Sequence, residues 1–167
     1  MSFVPAPTIA GDDDFFLTLL HALRDGLAAD TTLAAWCVTN AGQAHTVFVG
    51  IDVQNPPTVA MYPIVHLYPL REATGGEPEH WVVGCLAGLY DAAEAEVVSD
   101  LVRELRVVSN LPVFAKRVQA ALAGAAPADL QLATMAAEYE TIDHFPFQAA
   151  AMELTFVRPA EFRQRFA

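Results

Sequence analysis

Residues His80–Asp91 read HWVVGCLAGLYD. Trp81, Val83, Cys85, Ala87 and Leu89 fall at every second position, the period of a strand with one face against a core. Gly84 and Gly88 stand on the other face, and their missing side chains predict close packing there by a helix or a neighbouring chain. An apolar strand of this kind needs partners, and the flanking sequence supplies them. Upstream, AHTVFVGIDV (44–53) alternates Val47, Val49, Ile51 and Val53 with Thr46, Phe48, Gly50 and Asp52. After the QNPPT break, VAMYPIVHLYPL (59–70) places Val65 and Leu67 on one face and Ile64, His66 and Tyr68 on the other. Pro63 cannot donate to a ladder and marks a strand start, a bulge or an edge. Downstream, LQLATMAAEYETID (130–143) and FPFQAAAMELTFVRP (145–159) close the chain as two more strands. In the second of these, Met152, Leu154 and Phe156 share a face opposite Glu153 and Thr155.

Helices separate these strands. In GDDDFFLTLLHALRDGLAAD (11–30), Phe15, Phe16, Leu19, Leu20, Leu23 and Leu27 form one helical stripe, and Asp12, Asp13 and Asp14 suit the positive end of its dipole. The segment 28–43 reads as a loop. AAEAEVVSDLVRELRVVSN (92–110) reads as a second helix. LPVFAKRVQAALAG (111–124) reads as a third, or as the continuation of a helix kinked at Pro112. The order is helix, three strands, helix pair, two strands. It predicts an α+β domain with a mainly antiparallel sheet of about five strands and helices packed on one face. Residues 1–11 form an N-terminal arm, 12–159 the single domain and 160–167 a C-terminal tail.

The 167 residues are enough to bury a core, with 54% hydrophobic and only 17% charged residues. So little charge on a small domain predicts that part of its surface is covered by other subunits. The net charge of −11, from 20 acids against 9 bases, argues against gripping a nucleic-acid backbone, which takes clustered Lys and Arg. No apolar run approaches the roughly 18 residues of a membrane helix. The N-terminus lacks the basic start and apolar run of a signal peptide, which predicts a chain made in a cytoplasm. Cys37 and Cys85 have no partner at ligand spacing and read as buried free thiols; the sequence leaves open whether either reacts.

No motif for chemistry emerges. There is no phosphate loop, dinucleotide fingerprint, HExxH, CxxC or nucleophile elbow. No catalytic residue, cofactor or metal site is expected. The acids Glu138 and Glu140 read as a solvated strand face. Asp143 and His144 stand side by side before the last strand, where turn chemistry explains them better than a dyad. Asp143 and His144 are candidates for an interface, and any function for His144 belongs at a subunit or tube contact. Arg71, Glu72 and Glu77, in the loop after the second strand, are further interface candidates.

The element order, the strands PTVAMYPIVHLYPL and HWVVGCLAGLYD, the stretch AEVVSDLVRELRVVSNLPVFAKRVQAAL and the closing FPFQAAAMELTFVRP together resemble the small tail-terminator and tail-completion proteins of long-tailed bacteriophages. The resemblance runs from Asp12 to Pro159 and is one of pattern. It implies a structural virion protein without catalytic residues, assembled in the bacterial cytoplasm. Such a protein forms a ring, usually of six copies, that caps the tail tube, meets head-completion proteins and lets DNA pass through its lumen. Two other readings compete. One is a small-ligand module or enzyme with a pocket between helix and sheet, whose groups would be His45, His66, His80, Tyr62 and Tyr68. The other is an adaptor that binds one partner through its acidic face.

Overall fold

The computed structural model describes residues 15–50, 54–74, 78–92, 96–100, 102–104, 106–140 and 146–159. Three helices, α1 (Phe15–Ala29), α2 (Thr31–Ala41) and α3 (Arg106–Ala125), accompany seven strands. The strands are β1 (Thr46–Val49), β2 (Ile64–Ala73), β3 (Glu79–Tyr90), β4 (Glu96–Ser99), β5 (Val102–Glu104), β6 (Gln131–Glu140) and β7 (Phe147–Arg158). Five of them form one sheet in the order β1-β2-β3-β7-β6, and β4 with β5 forms a separate hairpin. The sheet is mixed: β1 runs parallel to β2 and every other pair is antiparallel. The expected α+β architecture is the one observed.

The alternation in HWVVGCLAGLYD builds the core. Trp81, Val83, Cys85, Ala87 and Leu89 lie opposite Phe156, Leu154, Met152, Ala150 and Gln148 of β7. Val65 and Leu67 extend the same face onto β2. The helices cover this face with Phe16, Leu19, Leu20, Leu23 and Leu27 of α1 and with Leu111, Phe114, Ala115, Val118 and Leu122 of α3. Both sets recur at three- and four-residue spacing, as a helix lying on a sheet requires. The helices cross closely at Gly26, where a Cβ would stand 2.2 Å from that of Ala125.

At one end of the sheet Arg158 joins four parts of the chain. It pairs with Glu79 at the start of β3 and with Asp129 before β6, at 3.0 and 3.1 Å. Its guanidinium also lies over the rings of Phe15 and Trp81, 4.3 and 5.1 Å from their centroids. A planar cation that stacks and forks at once is a role for arginine and not for lysine.

Three sequence expectations about the elements are overturned. Arg71 and Glu72, expected in a loop, lie within β2. Residues 31–41 are a helix and not part of a loop, because the Asp30 carboxylate accepts the Leu33 N–H at 2.8 Å and caps it. Leu33 and Cys37, four apart, then reach the core. The helix expected over 92–110 is instead the β4–β5 hairpin followed by the first turn of α3. Val98 and Val102 of that hairpin are 60% and 46% exposed, so no core pulls them onto a helical face. α3 then runs unbroken through Pro112. The carbonyl that Pro112 leaves without an intrahelical donor is that of Val108, in an exposed turn that water reaches. Asp12–Asp14, Glu77, Asp143 and His144 lie outside the described residues.

Phe114 is fully buried between α3 and the sheet and stacks on Trp36 at 5.6 Å. Phe114→Ala is expected to cost about 3–5 kcal/mol. The check is guanidinium unfolding, where the midpoint falls and the slope holds.

Candidate functional site

Helices cover one face of the sheet, and among the described residues no helix packs on the other. The residues of that second face follow from the pleat: Ile64, His66 and Tyr68 on β2; Gly84, Leu86 and Gly88 on β3; Phe147, Ala149, Ala151 and Glu153 on β7; Ala136 and Glu138 on β6. The surface is apolar around Tyr62, Leu86 and Phe147, with small residues beside aromatic rings, and charged around Glu138, Glu153 and Arg71.

The glycines explain its shape. Within the chain their close neighbour is not a helix but side chains of β2 and of Tyr62 just before it. The Tyr68 ring lies over Gly84, where a Cβ would come within 2.3 Å of it. Over Gly88 lie the Ile64 side chain and the Tyr62 ring. Tyr62, Tyr90 and Phe147 then make mutual ring contacts, with centroids 5.1 to 6.5 Å apart. Two shallow grooves result. One runs over Gly88 between Tyr62, Ile64, Leu86, Phe147 and Ala149. The other lies between Tyr68, Leu70, Ala136, Ala151 and the carboxylates Glu138 and Glu153. Burial raises the pKa of both tyrosine hydroxyls, so the rings stay neutral.

The candidate residues divide. Tyr62, His66 and Tyr68 share this helix-free face, whereas His45 turns to the helices and bonds the Leu27 carbonyl at 2.9 Å. His80 sits six residues along β3 from Leu86, the cross-strand partner of His66. At about 3.3 Å per residue that separates them by about 20 Å. The three histidines therefore do not converge, and the described residues hold no cluster of three or more His, Cys, Asp or Glu fit for a metal ion. Arg71 reaches Glu153 at 3.5 Å across the open face; both are well exposed, and a pair of that kind contributes little. Glu72 is exposed beside it. Sequence reading missed Tyr90 and Phe147. Their signal was present, since they follow the same alternate positions as Gly84, Gly88 and Ala149.

The thiols lack the surroundings of a nucleophile. Both are buried, and desolvation pushes Cys37 up to about 12 and Cys85 higher still. No helix of the described residues is long and apolar enough to cross a membrane. No known family model matches the chain, and no curated protein matches its sequence.

His66 is the buried titratable group of the open face, 4% exposed and stacked on Phe48 at 4.7 Å. Neither ring nitrogen has a side-chain or backbone partner within good hydrogen-bond geometry. Burial lowers its pKa below the ordinary value, with the Gly50 backbone opposing. The unfolded chain therefore binds a proton at His66 more readily than the folded one, and stability must fall as pH drops through about 6.5. Denaturant titrations at pH 7.5 and pH 5 should show this loss, and His66→Leu should reduce it.

Proposed function

We propose that this chain is a structural assembly protein of the phage tail-terminator kind. It acts as a homo-oligomeric ring, of six copies by the resemblance, that caps the tail tube at the head–tail junction of the virion. The observation that carries the reading is the sheet covered by helices on one face only. The other face presents Tyr62, Leu86, Phe147 and Ala149 in an apolar groove, and Tyr68 and Ala151 beside the charged Glu138, Glu153 and Arg71, a mixed surface suited to meeting protein. The 17% charged composition agrees with a chain that buries much of its exterior in an assembly. A net charge of −11 agrees with a lumen through which DNA slides without being held. Its partners are then further copies of itself, the tail tube and head-completion proteins.

Sedimentation and negative-stain microscopy of the purified chain test this directly. The expected outcome is one closed oligomer with a central hole. A monomer at every concentration, with no ring formed in the presence of tail tube, would exclude it.

A further inference from the structure

The sheet has two ends, β1 and β6, and among the described residues neither pairs with a further strand. An open edge offers unpaired backbone donors and acceptors, and natural sheets usually blunt it with lysine, proline or charge. β6 does so only in part, with a register shift at Leu132/Thr134 and with Glu138 and Glu140 at its far end. Residues 131–139 are largely exposed, and Gln131–Ala137 carries no charge, lysine or proline. β1, Thr46–Val49, is uncharged throughout.

The two edges also match in side-chain placement. Met135 and Tyr139 lie opposite Leu154 and Ala150, which puts them on the helix side of the sheet, yet they are 41% and 44% exposed. Val47 and Val49 lie opposite Val65 and Leu67 and so share that side, with Val49 39% exposed. Strand direction agrees as well. β1 is parallel to β2, and three antiparallel steps lead from β2 to β6, so β1 and β6 run in opposite senses. Copies related by rotation about a ring axis would thus meet as an antiparallel pair.

We propose that β6 of one copy pairs with β1 of the next, so that the sheet continues from subunit to subunit. This rests on the ring reading above and names its contact. Aligning Met135 with Val49 places Ala137 against Val47 on the helix side. On the other side it places small Ala136 against the Phe48 ring and Glu138 against Thr46. Alanines meet Val47 and Phe48, the apolar Met135 meets Val49, and no like charges oppose. The contact is head-to-tail: each copy gives one edge and receives the other, and the chain of copies ends only by closing.

The test uses the full chain with Val49→Cys and Met135→Cys combined, treated with a short bismaleimide; Cys37 and Cys85 are buried and do not compete. Denaturing gels should show a ladder of linked copies up to the full ring, while each single variant stays unlinked. Met135→Lys should reduce the oligomer to monomer with its far-ultraviolet circular dichroism intact. Linked dimers from Met135→Cys alone would mean that β6 pairs with β6, and would overturn the proposal. So would a persisting oligomer in Met135→Lys. A wild-type ring with no ladder in the double variant sinks this contact and leaves the ring standing. A monomeric wild type removes both.

Discussion

Every residue of β3 has a partner on β7, from Glu79 opposite Arg158 to Tyr90 opposite Phe147, and the rest of the fold depends on that ladder. It aligns two apolar rows, one per strand, into a strip too wide for either helix alone. α1 and α3 must lie side by side to cover it, which is why Gly26 and Ala125 meet without room for another methyl group. Arg158 locks one end of the ladder to α1 and to the approach of β6. Once both helices are committed to one face, the opposite face has to be closed by side chains of the sheet itself, and Tyr62 and Tyr68 lie down across the glycines to do so.

How much of this the sequence disclosed follows from the periods involved. β3 and β7 bury one face, so their two-residue alternation is clear, and the strand pair could be read directly. α1 and the body of α3 were as plain, because their stripes are long. α2 was hidden because Leu33 and Cys37 are its only fully buried side chains among Thr and Ala. Residues 92–110 misled because Val97, Val98, Leu101, Val102 and Leu105 recur at helical spacing in the sequence, while Val98 and Val102 are exposed in the structure and face no core. The parallel pairing of β1 with β2 depends on contacts across the QNPPT segment, which no local pattern encodes.

The candidate surface was half visible. Tyr62, Tyr68 and His66 were named as pocket groups, but as lining between helix and sheet. The structure places them on the face away from the helices. The missing information was the side of the sheet that the helices choose, and that depends on the register of four strands at once. The same face explains why His66 is buried without a helix above it: Phe48 from the parallel β1 supplies the cover.

The nesting of Tyr68 over Gly84 carries a consequence for how this sequence can change over time. Neither residue is free to drift alone. A side chain at 84 would need the ring withdrawn, and a shrunken 68 would leave an unfilled hollow over bare backbone. The two positions form a linked pair in which a change at one is accommodated by a change at the other. The same bond of size holds between Gly88 and the Ile64–Tyr62 couple. Diverged copies of this chain should therefore be recognisable by reciprocal large-for-small exchanges between β2 and β3, even where little else of the sequence persists.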